Sequence, residues 1–384
     1  MKKCIYCREH KEDGAFTLEH IIPQFMGGAY APDYFKVHDV CNSCNSNLGL
    51  FVDAGFEKNW FVSNKLRMAA YSSFNPDSTV GLPLICMGRS NLTPPQLKDE
   101  EICESWLGPL GESVFWIRPH DERLYWYTGG NPVTTKRTES RAYFFFSERS
   151  AKNPRITWFS FRDAFEGRRV RKVMCTEIQG ANPTEIGFKE PDELDQLRIE
   201  YFSKACRETP IRQNQLTIYT QFDFRFMAKI GIGVAYALFG AKALDSAYSE
   251  ELYKALWFRE GNEPPLVNGT SHLTSGANPN FLHLTGEKNA VTITVIPTPD
   301  GVALNINIDA TLNWTVKCAS LENIEEEVQG LGHGRVIVLY RQLQRSVDLS
   351  VTEYIAHKCG NILNPQLCEI SDMAKSQENY LREL

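Results

Sequence analysis

The sequence lacks an export signal, an apolar run of membrane-spanning length and an excess of positive charge. Its first residues, "MKKCIYCREHKEDG", are polar, and no apolar segment follows the two lysines. The most apolar stretch, residues 226–241, contains Lys229 and three glycines and is shorter than the about 18 residues that a membrane span requires. We therefore expect a soluble, cytoplasmic protein with no membrane partner.

The formal net charge of −6 argues against a protein that coats nucleic acid, although it leaves room for a local basic surface. The sequence also contains no Walker phosphate-binding loop, no dinucleotide-binding fingerprint and no internal repeat. What remains is an ordinary globular composition. Of the 384 residues, 42% are hydrophobic and 23% charged, which suffices for about two or three domains.

Four of the eleven cysteines form two C-x-x-C knuckles, Cys4–Cys7 and Cys41–Cys44, separated by 33 residues. In a cytosolic chain, such pairs indicate metal binding rather than disulfides. The alternatives are a chance pairing and a redox C-x-x-C, but neither knuckle lies in a βαβ pattern. Four sulfurs complete a tetrahedral zinc site, so the predicted zinc is structural. The other seven cysteines stand singly, and we expect them to be ordinary buried thiols.

The segment between the knuckles reads as two strands. "FTLEHIIP" has the β-branched and apolar content of a strand that ends at Pro23, and Gly27 and Gly28 permit a tight reversal. "YFKVHDV" is predicted to be the second strand, and helical spacing follows from residue 45, weakened by Gly49 and Gly55. Two strands, a knuckle and a helix predict a ββα-metal unit.

The ordered elements C-x-x-C, E-H-I-I-P, G-G and V-C-x-x-C-N-x-x-L-G, with an aspartate nearby, resemble the four-cysteine branch of the HNH endonucleases over about residues 4–54. The resemblance implies a nuclease site with one divalent ion, Mg²⁺ or Mn²⁺. It assigns His20 as the general base, since a neutral imidazole takes a proton from water near pH 7. It assigns Glu19 and Asn45 as oxygen ligands of the divalent ion.

Two positions of this motif stay open. The family's middle asparagine is not evident, and His38 or Asp39 is the candidate to orient His20 in its place. Asn42 and Asn47 are rivals of Asn45 for the metal. An isolated Glu-His pair is commonly an ordinary part of a strand, and here the flanking knuckles, I-P and G-G favour catalysis.

The remaining chain predicts a mixture of strands and helices. We expect strands at "SVFWIRP", "RLYWYTGG", "RAYFFFSE", "RITWFSF", "VRKVMCTEIQG", "NFLHLTGE", "AVTITVIPTPDGVALNINIDATLNWTVK" and "RVIVLYRQ". Residues 298–301, "TPDG", predict a hairpin turn. Helices are expected over residues 191–208, in a largely buried stretch that ends near Gly240, and in the stretch after it. Arg225 and Lys229 stand one helical turn apart, as a phosphate-binding pair or as a charge pair near the helix cap.

Residues 136–172 hold eleven Lys/Arg against four Asp/Glu, a local net charge of +7. One interpretation is a DNA-contacting surface, with Arg168, Arg169, Arg171 and Lys172 as its nucleic-acid-binding residues. The other is a solvated β-meander with an aromatic core face.

Together these patterns predict an α+β protein with an HNH nuclease unit over residues 1–72 and an accessory or regulatory region over residues 73–384, with a further boundary near 190–210. The predicted function is metal-dependent hydrolysis of DNA phosphodiester bonds, as in bacterial anti-phage effectors controlled by a C-terminal region. The expected partners are DNA, a second copy of the chain, and an activating ligand or protein. The alternative is a zinc-stabilised nucleic-acid- or protein-binding module without hydrolysis.

Overall fold

The computed structural model describes residues 1–74, 80–120, 137–177, 182–208, 213–215, 221–259, 261–272 and 278–382. The α+β class predicted from the sequence is confirmed. The chain forms two compact units. Unit 1 comprises Met1–Glu57, Met68–Ser73 and Tyr219–Glu378, and unit 2 comprises Lys58–Arg67, Phe74–Ile218 and Asn379–Leu384. None of the helices in the described ranges is long and apolar enough to cross a membrane.

The first stretch of unit 1 contains two small antiparallel hairpins followed by helix. Its elements are β1 (Lys2–Lys3), β2 (His10–Lys11), β3 (Phe16–His20), β4 (Lys36–Cys41), α1 (Asn42–Leu48), a π-helical turn (Gly49–Asp53) and α2 (Ala54–Glu57). The predicted ββα order is therefore present, and the helix is interrupted where the two glycines weaken it.

Helix α3 (Trp60–Ser72) follows α2 and precedes the first strand of unit 2 along the chain. Unit 2 is built on a six-stranded sheet of order β10-β5-β6-β7-β8-β9, antiparallel except for the parallel pair β8–β9. Its elements are β5 (Ile85–Ser90), β6 (Glu101–Leu107), β7 (Ser113–Pro119), β8 (Ser140–Phe145), α4 (Glu148–Lys152), α5 (Pro154–Asp163), β9 (Val170–Met174), α6 (Glu193–Glu208) and β10 (Asn214–Gln215).

The last stretch completes unit 1 with a second six-stranded sheet, of order β11-β14-β13-β12-β15-β16. Its elements are α7 (Gln221–Phe239), α8 (Ala247–Leu256), β11 (Gly269–Thr270), α9 (Pro279–Thr285), β12 (Val291–Thr298), β13 (Gly301–Ile308), β14 (Leu312–Ser320), α10 (Glu325–Gly330), β15 (Arg335–Tyr340), β16 (Arg345–Ser350), α11 (Val351–Lys358) and α12 (Pro365–Arg382). The predicted hairpin turn joins β12 to β13, where Thr298 pairs with Gly301.

An aromatic cluster joins the first and last stretches of unit 1 in one core. Phe56 stacks on Phe226 of α7 at a centroid distance of 3.9 Å, and the edge of Trp314 from β14 lies 4.9 Å from Phe56. Phe25 lies 6.0 Å from Phe226. Because α7 is buried between the N-terminal segment and the sheet, its sequence is apolar on nearly every side.

Both faces of the unit 2 sheet are covered by apolar side chains. One face, including Phe115 and Tyr143, packs against Phe202 of α6. The other, including Trp116 and Phe144, packs against Phe161 of α5. Four aromatic residues of the basic stretch, Tyr143, Phe144, Phe145 and Phe161, are therefore core residues, whereas its other aromatic residues are half-buried.

Three predictions were wrong. "RITWFSF" and "NFLHLTGE" form the helices α5 and α9. Each helix begins with a proline at its first position, and the Asn278 side chain also caps α9 by accepting from the backbone N–H of Asn280. Of the seven single cysteines expected to be buried, Cys86, Cys103 and Cys318 are buried, Cys175, Cys206 and Cys368 are half-buried, and Cys359 is exposed. The predicted strand "RLYWYTGG" lies outside the described residues.

Candidate active site

The two cysteine knuckles come together at one point. The sulfur atoms of Cys4, Cys7, Cys41 and Cys44 all lie within 4.8 Å of one another, close to the about 3.8 Å between sulfurs of a tetrahedral zinc site. The backbone N–H of Cys41 donates to the sulfur of Cys4 at 3.4 Å. A hydrogen bond from Cys44, with others from backbone N–H groups, outweighs burial and lowers the pKa of Cys4 to about 4. The donor set fits a structural zinc, as predicted.

Helix α8 holds the first knuckle from the C-terminal part of unit 1. Tyr253 donates its hydroxyl to the carbonyl of Ile5 at 2.7 Å, and the indole of Trp257 donates to the carbonyl of Tyr6 at 3.2 Å. These bonds fix the backbone that carries Cys4 and Cys7, so the four-sulfur cluster and the C-terminal helices form one structure.

The hairpin between the knuckles carries the predicted catalytic pair. In its register Glu19 faces Val37 and His20 faces Lys36, with a bulge on β4 where two residues oppose the single Leu18. The reversal after β3 requires its glycines. Gly27 has φ of +97°, and a Cβ on Gly28 would lie 1.7 Å from the carbonyl oxygen of Ile22.

His20 occupies the more open face of β3. Side chains alternate along a strand, and its neighbour on that face, Leu18, is 43% exposed, whereas Glu19 is 4% exposed. Partial burial and the nearby charge of Lys36 lower the pKa of His20, so the imidazole is neutral over a wider pH range. Of the two candidates to orient His20, His38 is exposed and Asp39 pairs with Lys2 at 3.1 Å.

Among the three candidate asparagines, Asn45 is the one shown bonded to β3. Its amide nitrogen donates to the Thr17 hydroxyl at 3.0 Å and to the Leu18 carbonyl at 2.9 Å. Asn42 and Asn47 are exposed and bond within α1. Asn45 therefore ties the knuckle helix to the strand that carries His20, and both bonds use its nitrogen rather than its carbonyl oxygen.

Glu19 points into the core and meets a residue that sequence reasoning misread. Lys229 of α7 places its ammonium 2.9 Å from Glu19 Oε1 and 2.5 Å from Asp53 Oδ2. Its side chain is 2% exposed, so it forms neither the predicted phosphate site nor a cap pair. The signal that could have found it is a lone lysine within an apolar helix, which requires a buried partner of opposite charge.

The divalent-ion site implied by the resemblance does not fit this arrangement. Carboxylate and amide oxygens suit Mg²⁺ or Mn²⁺, but the Glu19 carboxylate is buried and is bound by an ammonium. Within the described ranges, the four cysteines form the one cluster of at least three His, Cys, Asp or Glu residues close enough to share an ion. The roles of His20 and Asn45 stay predictions, while the Glu19 carboxylate is engaged by Lys229.

The four predicted DNA-contacting residues lie in unit 2, and each has a partner within the protein. Arg171 pairs with buried Asp195 at 2.9 Å, and Lys172 donates to the carbonyl of Arg162 at 2.6 Å. Arg168 lies over the ring of Trp116. Arg169 is exposed and donates to the carbonyl of Arg137 at 3.0 Å.

No curated protein and no solved structure matches the chain. A family comparison matches one part of it. Residues 4–61, which contain both knuckles, the hairpin and α1, match the HNH endonuclease family.

Proposed function

We propose that this protein is an HNH endonuclease that hydrolyses DNA phosphodiester bonds with Mg²⁺ or Mn²⁺ as cofactor. Residues 1–72 would supply the chemistry, and residues 73–384 would control it. The observation that carries the proposal is the placement of His20. It stands on the open face of a hairpin that a four-sulfur cluster and Asn45 hold in place, within the family match.

In this proposal His20 accepts the proton of the water that attacks the scissile phosphate. Its lowered pKa supports that role, because a base must be unprotonated to act. Lys36, directly across the hairpin, places positive charge beside the imidazole. This charge both disfavours the imidazolium and attracts a phosphate.

The test is cleavage of supercoiled plasmid by zinc-loaded, full-length protein with Mg²⁺ or Mn²⁺. We expect His20→Ala to cut more slowly than wild type by a factor of about 10² to 10⁴, which is the usual contribution of a general base. The matched control is His10→Ala, an exposed histidine on β2 with no predicted role, which should cut like wild type. Equal rates for wild type and His20→Ala, with zinc bound in both, would contradict the proposal.

The second candidate is a zinc-stabilised binding module without hydrolysis. The engagement of Glu19 by Lys229 favours it, because a binding module has no need of a free carboxylate. A gel-shift assay beside the cleavage assay separates the two. The binding module would be supported if the wild-type protein binds DNA but does not cut it with any metal ion or added ligand.

We further propose a cytoplasmic anti-phage effector whose nuclease is controlled by an activating ligand, a partner protein or self-association. Support comes from the arrangement of a small HNH segment with a much larger remainder. Cells that express the wild type should form fewer phage plaques than cells that express His20→Ala. Equal plaque numbers would contradict the proposed defence role, but they would not contradict the proposed nuclease activity.

A further inference from the structure

Two arginines lie together where helix α7 meets the end of α8. Arg225, near the start of α7, is half-buried and donates from Nη2 to the carbonyl of Phe258 at 2.6 Å. Arg259 directly follows Phe258 and is exposed. All three residues belong to unit 1. The hydrogen bond therefore brings the two arginines to one junction of the fold.

The positive charge at this junction has no acidic partner in the described part of the chain. Burial lowers the pKa of Arg225, and the charge of Arg259 lowers it further. An arginine with an acidic partner shows the opposite shift. The hydrogen bond from Arg335 to Asp348 raises the pKa of that arginine. Arg225 and Arg259 therefore repel one another, and a bound anion would remove this repulsion.

The other charged groups at this end of α7 are already engaged. Asp223 is buried and accepts from the Ser271 hydroxyl at 2.6 Å and from the Trp314 indole at 2.9 Å. One helical turn after Arg225, Lys229 has two carboxylate partners. The same helix thus carries one cation that is paired twice and one that the described residues leave without a carboxylate.

Arg225 also has a buried donor that is not used. Its Nε is buried and has no hydrogen-bond partner among the described residues. Buried polar atoms are normally satisfied, and buried charges are normally paired. The carbonyl of Phe258 accepts from Nη2 and holds the side chain in place. The guanidinium group is therefore fixed with a donor and a positive charge left over, which an anion would satisfy.

The neighbouring residues indicate which kind of anion fits. A guanidinium group binds phosphate oxygens through two parallel N–H groups. Phe224 directly precedes Arg225, and Trp257 lies two residues before Arg259; their side chains are 43% and 42% exposed. Exposed aromatic rings beside arginines are typical of proteins that stack on nucleotide bases while they hold the phosphates. The phosphate of a nucleotide therefore fits this junction better than a carboxylate.

We propose that Arg225 and Arg259 form a binding site for a nucleotide phosphate, carried either by a DNA strand or by a free nucleotide. Arg225 offers its buried Nε to a phosphate oxygen, and Arg259 adds a second positive charge from the exposed side. The phosphate-binding pair at the start of α7 is thus Arg225 with Arg259 instead of Arg225 with Lys229. Both arginines lie outside the HNH segment, so the site does not require that the protein hydrolyses DNA.

The experiment titrates full-length, zinc-loaded protein with two probes in the absence of added divalent ions. A fluorescein-labelled single-stranded DNA oligonucleotide is followed by anisotropy, and ATP is followed by titration calorimetry. Arg225→Gln should weaken the binding of at least one probe about tenfold, the size expected for a lost hydrogen bond to a charged group. Arg259→Gln should weaken the same probe severalfold. A loss for DNA alone identifies the strand as the ligand, and a loss for ATP alone identifies a free nucleotide.

The matched control is Lys254→Gln, which removes one positive charge from α8 that Glu251 already pairs at 2.5 Å. It should bind both probes like wild type. Unchanged affinity of both arginine variants for both probes would overturn the proposal, and so would wild-type protein that binds neither probe. An equal loss in Lys254→Gln would also overturn it, because net charge alone would then explain the effect. Arg259 is exposed, so its variant tests the site even if Arg225→Gln fails to fold.

The phosphate site and the nuclease can fail separately. If a probe needs Arg225 and Arg259 for binding but the protein does not cut plasmid, the phosphate site stands and the nuclease is contradicted. If plasmid cutting depends on His20 but neither probe responds to the arginine variants, the nuclease stands and the phosphate site is contradicted.

Discussion

Neighbouring residues in β3 have opposite surroundings. His20 lies on the open face next to Lys36, whereas Glu19 is buried against Lys229. The alternation of side chains along a strand is enough to cause this difference. A single strand can therefore hold an imidazole near the surface and a charged anchor in the core.

A pH dependence follows from the surroundings of His20. Its pKa is lowered by burial and by Lys36, so the neutral form persists below the ordinary value of about 6.5. We expect the acidic limb of the cleavage rate to lie below that pH in wild type. Lys36→Gln should move the limb to higher pH, because the imidazole is then protonated more readily. Rate–pH profiles of both proteins test this, with the exposed Lys3→Gln as control.

Whether the sequence predicts a contact between two residues depends on how far apart they are along the chain. The cysteines, His20 and Asn45 belong to one local motif of fixed spacing, and the structure holds them in one ββα segment. Asp53 and Lys229 are 176 positions apart. No local pattern links such residues, because their contact depends on how α7 packs in the finished core.

Elements were predictable where their periodicity was clear. The hairpin β3–β4, the long α6 and α7, and the strands β12 to β15 follow alternation or helical spacing. The two misread helices are short. Helix α5 is rich in aromatic and β-branched residues, which favour strands, and α9 has only seven residues, too few to show helical spacing. Their N-terminal prolines and tertiary packing decided the outcome instead.

Helix α7 offers a matched pair of glycines for a stability prediction. Gly233→Ala should lower the free energy of unfolding by about 1 to 3 kcal/mol through overpacking, because its Cβ would lie within 3.0 Å of both Ile21 and Tyr6. Gly231→Ala should raise it by up to about 1 kcal/mol, since its nearest neighbour, Cys318, is 3.6 Å away. Urea unfolding followed by circular dichroism and zinc release measures both. Shifts of the same sign would contradict this packing.

The charge of the whole molecule sets the conditions for binding DNA. With a net charge of −6, the protein as a whole repels a polyanion, and attraction must come from local surfaces. In unit 2 the basic residues are mostly engaged. Arg171 and Arg141 both pair with Asp195, which is fully buried.

Two arginines of unit 2 should therefore respond differently to mutation. Arg171→Ala removes a partner of buried Asp195 and should cost about 1 to 3 kcal/mol of stability. Arg169→Ala, at an exposed position, should leave stability within about 0.5 kcal/mol. It should weaken DNA binding on every sequence and reduce the salt slope by about one. Thermal unfolding and binding titrations at several salt concentrations test the pair. An unchanged salt slope for Arg169→Ala would show that Arg169 does not contact DNA.

The discontinuity of unit 1 has a consequence for how the protein is made. Met1–Glu57 leaves the ribosome roughly 160 residues before Tyr219, a delay on the order of ten to thirty seconds at ordinary elongation rates. During that time the nascent chain carries the cysteines, His20 and Glu19, while the helix that bears Lys229 has yet to be synthesised. Lys229, which pairs with Glu19 in the folded protein, is thus synthesised late. Until then, Glu19 in each nascent chain has no ammonium partner from α7.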